Sequence, residues 1–200
     1  MSAKEFAKIK VVFIGDTSVG KTALFYQFQN AQFQTDLPTT VGGACANVNV
    51  DFDNDSVPLM IWDTAGQEQL RAIVPMYIQR SAFILLVYDI SNRLSFESLE
   101  SWVNLVTEKA ECWTKIILIG NKSDLEDSRQ VEYFEGSAFA EKNRLLTFLE
   151  TSAKTKAGVK DILNLIAKTS KSDRQIQEML TSINQEVVIS TADDKKKRCC

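Results

Sequence analysis

The 200-residue sequence contains no histidine. This absence excludes serine and cysteine nucleophiles activated by histidine, zinc hydrolases built on an HExxH helix, and every histidine-ligated metal site. Any chemistry must therefore use backbone amides, lysine, aspartate, glutamine, hydroxyl groups or an oxygen-bound cation. The net charge is −3, from 23 Lys and Arg against 26 Asp and Glu. That balance does not indicate a nucleic-acid-binding surface.

Long apolar runs and a disulfide framework are also lacking. The longest apolar runs, such as residues 82–88, contain seven residues and are far too short to span a membrane. The four cysteines are the isolated Cys45 and Cys112 and the adjacent pair Cys199 and Cys200, which is neither a zinc-binding nor a disulfide pattern. The N terminus has no signal-peptide pattern, so we expect a protein of the reducing cytosol.

Short apolar runs alternate with stretches of helical spacing. Continuous hydrophobicity within the runs is typical of strands that are covered on both faces. The alternation predicts an α/β protein with a doubly wound, mostly parallel sheet and right-handed crossovers. The predicted strands are 10–14, 59–62, 82–88, 115–119 and 145–149, and the predicted helices are 22–29, 95–111, 133–142 and 159–179.

One segment breaks this alternation. Residues 44–52 and 57–62 have the pattern of two strands around the polar tripeptide 53–55, which predicts a hairpin and hence an antiparallel edge strand. From about Asn184 the periodicity stops and the composition becomes polar. We therefore assign residues 1–183 to one domain and expect residues 184–200 to form a flexible C-terminal tail.

The segment from Gly15 to Thr22 matches the pattern GxxxxGK[ST] and lies directly between a predicted strand and a predicted helix. Consecutive backbone N–H groups at the start of a helix can surround a phosphate, and glycine lets the chain approach it closely. Lys21 can reach the β- and γ-phosphates, and the Thr22 hydroxyl suits a bridging Mg²⁺ ion. A plain glycine turn is the alternative, but pattern and context together favour a nucleoside triphosphate.

Polar clusters follow three further strands, at residues 63–68, 120–124 and 150–154. Because ligands bind at the carboxyl ends of strands in an open α/β sheet, these clusters and the glycine-rich loop can converge on one ligand. Asp63 could hold the Mg²⁺ shell, and Gly66 lets its N–H approach the γ-phosphate. A capping aspartate before a glycine turn is the alternative for this pair.

The identity of the base is argued from residues 121–124. Guanine presents N1–H and N2–H₂ side by side, and the Asp124 carboxylate can accept from both. Adenine would leave that carboxylate unpaired, so a site of this kind would select guanine over adenine by roughly 10⁴-fold or more. Asn121 can tie this loop to the glycine-rich loop or contact the base, and the Lys122 stem can lie along the base. The pair Ser152–Ala153 offers a backbone N–H to guanine O6. By itself, the segment is an ordinary polar loop.

In these residues the chain resembles the small GTPases of the Ras superfamily, and most of all the Rab branch. The resemblance covers about residues 9–180 and rests on five motifs in order: 15–22, Thr40, 63–66, 121–124 and 151–154. It implies the P-loop NTPase (small G-protein) fold, with a six-stranded, mostly parallel sheet, one antiparallel edge strand and five helices. It also implies GTP or GDP with Mg²⁺ as ligands. The implied nucleotide contacts are Asp16, Ser18, Val19, Gly20, Lys21, Thr22, Ala23, Phe33, Thr40, Gly66, Asn121, Lys122, Asp124, Ser152, Ala153 and Lys154, and the implied metal contacts are Thr22, Thr40 and Asp63.

Three residues gain roles from this resemblance alone. Thr40 corresponds to the switch I threonine whose hydroxyl reaches Mg²⁺ while the γ-phosphate is present. Phe33 corresponds to the aromatic residue that packs edge-on against guanine, and Gln67 to the catalytic glutamine that orients the attacking water. A capping threonine, a core phenylalanine and a solvated glutamine are the alternatives. Hydrolysis of this kind depends on positioning and electrostatics, so it needs no histidine.

Further features resemble Rab proteins and imply a regulator of vesicle traffic. Trp62 and Tyr77 match two aromatics of the effector-binding surface, and residues 95–102 resemble the start of the third helix of that family. Cys199 and Cys200 resemble a double-geranylgeranyl signal, which with the preceding basic run would hold the chain on the cytoplasmic face of an intracellular membrane. The implied partners are an exchange factor, a GTPase-activating protein, a GDP-dissociation inhibitor or escort protein, and effectors at switches I and II. We expect a monomer that does not bind nucleic acid.

The chain departs from the usual Rab pattern at residues 43–45, 69–71 and 78–80, all on the expected partner-facing surface. Two other functions compete with the cycling switch. A constitutively GTP-bound adaptor is disfavoured because the motif residues around the phosphates are intact. An ATP-using P-loop kinase is disfavoured by Asp124 and by the lack of a second substrate site.

Overall fold

The continuous apolar runs of the sequence become the strands of one sheet that is buried on both faces. The computed structural model describes residues 7–30, 33, 43–64 and 73–184. Six strands lie in the order β2-β3-β1-β4-β5-β6, with β2 and β3 antiparallel and all other neighbours parallel. This confirms the predicted sheet with its antiparallel edge strand. The strands are β1 (Ile9–Ile14), β2 (Gly43–Phe52), β3 (Asp55–Thr64), β4 (Phe83–Asp89), β5 (Lys115–Asn121) and β6 (Thr147–Glu150).

The hairpin between β2 and β3 turns more tightly than predicted. Phe52 pairs with Asp55, which leaves a two-residue turn in place of the expected tripeptide. Both turn residues have positive φ, 53° at Asp53 and 60° at Asn54. This is the backbone of a type I′ turn, whose twist matches that of the flanking strands. Asp and Asn can occupy it because their short polar side chains tolerate the left-handed conformation.

Within the described ranges, and leaving aside the separate helical segment at 174–184, the sheet carries six helices in place of the five expected. They are α1 (Lys21–Phe28), α2 (Val74–Ile78), α3 (Arg93–Glu97), α4 (Leu99–Lys109), α5 (Tyr133–Lys142) and α6 (Val159–Ser172). The count differs because the predicted helix 95–111 is divided at Ser98. The hydroxyl groups of Ser95, Ser98 and Ser101 each donate to the carbonyl three residues earlier. Serine hydroxyls compete for backbone groups in this way, so they favour a break over a continuous helix.

The predicted helix 159–179 is likewise divided, at Asp173. This residue is extended, and its Oδ1 accepts a 3.1 Å hydrogen bond from Ile176 N, which caps a second helical segment at 174–184. Lys115 Nζ, at the start of β5, lies 2.8 Å from Asp173 Oδ2. Asn184, the first residue of the predicted tail, accepts a hydrogen bond from Ala7 N. Residues 185–200 lie outside the described part of the chain.

Apolar side chains fill a layer on each side of the sheet. One layer packs α1, α6 and the segment 174–184 against the sheet, and the other packs α2, α4 and α5. Because β1, β3, β4, β5 and β6 run parallel, their carboxyl ends meet at one edge, where ligands of such sheets bind. None of the helices in the described ranges is long and apolar enough to cross a membrane.

Candidate nucleotide-binding site

The glycine-rich loop joins β1 to α1 in a conformation that requires its two glycines. Gly15 has a φ of 144°, and a Cβ there would lie 2.2 Å from the carbonyl oxygen of Val87. Gly20, at the start of α1, has a φ of 97°, and a Cβ there would lie 2.2 Å from Asn121 Nδ2. The loop therefore delivers the N terminus of an eight-residue helix to the edge of the sheet. Such a terminus presents free N–H groups and a positive dipole end, which favour an anion.

Lys21 is buried beneath this loop. Its Nζ donates to the carbonyl oxygens of Gly15, at 2.9 Å, and Asp16, at 2.5 Å. Burial lowers the pKa of Lys21 to about 8, although the nearby carboxylates of Asp63 and Asp16 partly oppose this shift. The ammonium group is thus held by two neutral carbonyls, and an anionic phosphate would stabilise its charge further.

Thr22 and Asp63 bring two oxygen atoms together although they are 41 residues apart in the chain. Thr22 Oγ1 donates a 2.7 Å hydrogen bond to Asp63 Oδ2, and the Asp63 side chain is buried at the end of β3. Hydroxyl and carboxylate oxygens are ligands that Mg²⁺ accepts, and this ion usually combines one or two protein groups with substrate phosphates and water. The described residues contain no group of three or more acidic or cysteine side chains that could hold a metal without a ligand. The hydroxyl of Thr22 and the carboxylate of Asp63 fit Mg²⁺ bound together with a nucleotide, because both are oxygen ligands within hydrogen-bond distance of each other.

Asn121 connects three segments of the site. Its Nδ2 donates a 2.9 Å hydrogen bond to the carbonyl of Val19 in the glycine-rich loop. Its Oδ1 accepts from Thr151 Oγ1, at 3.2 Å, and from Ala153 N, at 3.3 Å. Of the two roles considered from the sequence, the structure has Asn121 tying the loops together. The side chain is only 1% exposed, so all three bonds are shielded from water.

The predicted base-recognition residues surround Asp124. Asp124 Oδ1 accepts a 2.5 Å hydrogen bond from Ser152 Oγ, and Lys154 Nζ lies 3.7 Å from Asp124 Oδ2. Lys122 has a φ of 65°, and its Nζ lies 2.6 Å from Asp89 Oδ2. Ser152 thus binds one oxygen of the Asp124 carboxylate, Lys154 lies near the other, and the Lys122 ammonium group is paired with Asp89 at the end of β4.

Two residues at the site were not predicted from the sequence. Asp89, at the end of β4, binds Lys122, and Trp102 of α4 donates from Nε1 to Asp16 Oδ1. Asp89 could have been found, because it ends a buried strand with a polar side chain as Asp63 and Asn121 do. Trp102 has no such signal, since its partner lies 86 residues away.

The remaining predicted residues divide by position. Ser18, Val19 and Ala23 lie in the glycine-rich loop and the first turn of α1, and the Val19 side chain is buried. Phe33 is 37% exposed, so it is not a core residue. The predicted residues outside the described part of the chain are Thr40, Gly66, Gln67, Cys199 and Cys200.

An aromatic pair lies on the β2–β3 side of the molecule. The rings of Trp62 and Tyr77 are 5.5 Å apart, and Lys10 Nζ lies 5.8 Å from the centre of the Trp62 ring. A Cβ at Gly43 would lie 2.7 Å from the Tyr77 hydroxyl, so the glycine of this divergent segment makes room for the tyrosine. Cys45 is directly opposite Trp62 in the hairpin and is exposed.

The sheet order, the glycine-rich loop and the strand-end residues together define a P-loop nucleotide-binding protein of the small G-protein class. A comparison of the sequence with known protein families matches residues 10–172 to the Ras family. The chain therefore belongs to the Ras family. Members of this family are small GTPases, which bind GTP and GDP, generally with Mg²⁺, and act as molecular switches with regulators and effectors.

Proposed function

We propose that this small GTPase is a Rab-like switch that cycles between GDP and GTP to regulate vesicle traffic. The observation that carries the nucleotide assignment is the bonding of Asn121. One buried side chain joins the phosphate-binding loop at Val19 to the segment at 151–153, which follows β6. Phosphate and base positions are thereby set relative to each other before a ligand binds, which lowers the entropy cost of binding.

Guanine selection is assigned to Asp124. Ser152 donates to its Oδ1, and Lys154 Nζ lies 3.7 Å from its Oδ2. An ionised carboxylate can accept from the N1–H and N2–H₂ of guanine together, and charge-assisted pairs of this type are the stronger hydrogen bonds. The backbone N–H of Ala153 donates a long, 3.3 Å hydrogen bond to Asn121 Oδ1, and it would share its proton with guanine O6 when the base binds.

Phosphate binding and hydrolysis are assigned to the other end of the site. Lys21 would bind the β- and γ-phosphates, and Thr22, Asp63 and Thr40 would hold Mg²⁺, which would supply positive charge against the phosphates. Gln67 orients the attacking water. Since catalysis by such sites depends on positioning and electrostatics, turnover without an activating protein should be slow, on the order of 10⁻⁴ to 10⁻² s⁻¹.

The Rab-like part of the proposal is supported by the surface and by the sequence of the tail. Trp62 and Tyr77 form the aromatic pair expected of an effector-binding surface. Two adjacent prenyl groups on Cys199 and Cys200 would anchor the chain stably to the cytoplasmic face of a membrane, whereas one chain alone binds only marginally. An exchange factor, an activating protein and a GDP-dissociation inhibitor would then control nucleotide state and membrane residence.

The proposal is tested first by the nucleotide that co-purifies with the recombinant protein, identified after acid denaturation. GDP or GTP is the expected result. Recovery of ATP would support the kinase alternative and would contradict the proposal. Release of phosphate over hours in a single-turnover assay distinguishes a cycling switch from a constitutively GTP-bound adaptor.

Base selection is tested with Asp124→Asn. We expect GDP affinity to fall by about a hundredfold or more and xanthosine diphosphate to become the preferred ligand, because xanthine carries an acceptor at C2. Asp127→Asn is the matched control: it removes a carboxylate three residues away, on the exposed surface. Equal GDP affinities for wild type and Asp124→Asn would refute this account of the base.

A further inference from the structure

Trp102 forms a long-range hydrogen bond to the phosphate-binding loop. The residue belongs to α4 and is 1% exposed, yet its indole Nε1 donates to Asp16 Oδ1 at 2.7 Å. Asp16 is only partly buried, so the bond lies at the boundary between the core and the site. A hydrogen bond to an ionised acceptor is stronger than one between neutral groups, and this one is also largely shielded from water.

Asp16 contacts α4 through its side chain and Lys21 through its main chain. Its carbonyl oxygen accepts from Lys21 Nζ at 2.5 Å, while its carboxylate accepts from Trp102. A displacement of Asp16 would therefore move a partner of the lysine that is assigned to the phosphates. The bond to Trp102 also holds the negative carboxylate toward α4.

The loop departs from regular backbone geometry at three residues, so side-chain contacts at its two ends help to hold it. Gly15, Ser18 and Gly20 have φ values of 144°, 61° and 97°, which are unusual conformations that neither the strand nor the helix imposes. Asn121 holds the carbonyl of Val19, near the end of the loop. Trp102 holds Asp16, near its beginning.

Trp102 also belongs to the apolar layer that contains α2. It packs in the same apolar cluster as Val74 and Ile78 of α2. The segment 65–72, which precedes α2 in the chain, contains Gly66 and Gln67. Trp102 therefore connects the phosphate-binding loop to the apolar cluster that includes the helix following the predicted catalytic glutamine.

From these contacts we infer that Trp102 is a positioning residue whose hydrogen bond to Asp16 holds the phosphate-binding loop in its binding conformation and slows the release of GDP. This inference rests on the proposed guanine-nucleotide site. A loop that is fixed in its bound conformation binds more tightly, because less conformational freedom is lost on binding.

The test is the rate of GDP release, measured with a fluorescent GDP analogue in the full-length protein. Trp102→Phe keeps an aromatic ring but removes the donor, and Asp16→Ala removes the acceptor. Each is expected to accelerate release by about five- to tenfold. The double variant should be no faster than the faster single variant, because both changes remove the same bond. Asp16→Asn retains an acceptor oxygen, so it should release GDP more slowly than Asp16→Ala.

Trp113→Phe is the matched control for loss of an indole. Trp113 packs against the other apolar layer, and its buried Nε1 has no hydrogen-bond partner among the described residues. We expect this change to lower the melting temperature and to leave GDP release within about twofold of wild type.

Three results would overturn the inference: unchanged release in Trp102→Phe and Asp16→Ala, additive effects in the double variant, or equal acceleration by Trp113→Phe. The last would show that core destabilisation alone speeds release. If the wild-type protein retains no GDP, the proposed function fails and this inference fails with it. If the wild type binds GDP and the variants release it at the wild-type rate, only the positioning role is refuted.

Discussion

Replacing Asn121 by aspartate would test whether one buried amide holds the site together. Asn121→Asp preserves the shape of the side chain and keeps an oxygen that accepts from Thr151 and Ala153. It replaces the Nδ2 amide group, which donates to the carbonyl of Val19, by a carboxylate oxygen that cannot donate. The lost bond leaves a buried acceptor unpaired, which costs about 1–3 kcal/mol. The carboxylate adds an uncompensated buried charge, so we expect a total loss of about 3–5 kcal/mol in the free energy of unfolding.

The pH dependence of this loss provides an internal check. Burial raises the pKa of the introduced carboxyl above its unfolded value of about 3.9. The penalty is therefore complete above the raised pKa, and it shrinks as the pH falls through that value, because a protonated carboxyl can donate to the Val19 carbonyl. Urea unfolding of Asn121→Asp and wild type across this range, with GDP release measured in parallel, gives both quantities.

Asn143→Asp is the control for the chemistry of the exchange. Asn143 Nδ2 donates a 2.9 Å hydrogen bond to the carbonyl of Phe139 at the end of α5, where the group is partly exposed. Water can replace that bond, so we expect a loss of at most about 1 kcal/mol. If Asn121→Asp costs no more than this control, or if its penalty does not diminish in acid, the assignment of Asn121 as the central connection is wrong.

Three further outcomes are expected. Gln67→Leu should lower GTP hydrolysis, especially when stimulated by an activating protein, with little change in GDP affinity, because only the orientation of water is lost; an unchanged single-turnover rate would contradict its role. Lys115→Met should raise the pKa of Asp173, which the hydrogen bond from Lys115 holds below its ordinary value. The stability from that bond is present above the unfolded pKa and is lost as the pH falls through the folded pKa, so wild type and variant should differ by less than about 1 kcal/mol at neutral pH and converge in acid. Deletion of Cys199 and Cys200 should move the protein from membranes to the soluble fraction while GDP binding survives, and persistence on membranes would indicate anchoring by a partner.

The central strands could be predicted because their sequence signal is local and dense. The run at 10–14 became β1 with one added residue, and α5 has the predicted bounds, 133–142. A reciprocal capping box formed by Glu132 and Glu135 explains why that helix begins where it does. In these segments the local sequence pattern agrees with the structure that the whole chain adopts, so their type and bounds could be predicted without knowledge of distant contacts.

The helix breaks could not be predicted by spacing alone. Apolar periodicity continues through Ser98 and through Asp173, so the pattern predicts unbroken helices at both places. Each helix ends instead where a hydroxyl or carboxylate group forms a hydrogen bond with nearby main-chain atoms. Such local bonds outweigh periodicity because they replace the hydrogen bonds that the helix would have made.

The same distinction applies to the site. The glycine-rich loop is readable because its chemistry lies in consecutive residues, whereas the contacts of Asp89 and Trp102 depend on how the sheet brings distant residues together. The spacing of residues along the sequence does not indicate which distant residues come into contact. The residues that touch the ligand can therefore be predicted more readily than those that position them.

Gly43, the first residue of the divergent segment 43–45, meets a steric constraint from Tyr77. Tyr77 packs against Trp62, and its hydroxyl occupies the space that a side chain at Gly43 would need. A larger residue at this position would displace the tyrosine and separate the aromatic pair. With Cys45 opposite Trp62, strand β2 presents small side chains beside two large rings. A protein that bound this surface would need a large side chain of its own to fill the space beside the two rings. A surface whose β2 strand carries a large aromatic residue would not leave that space.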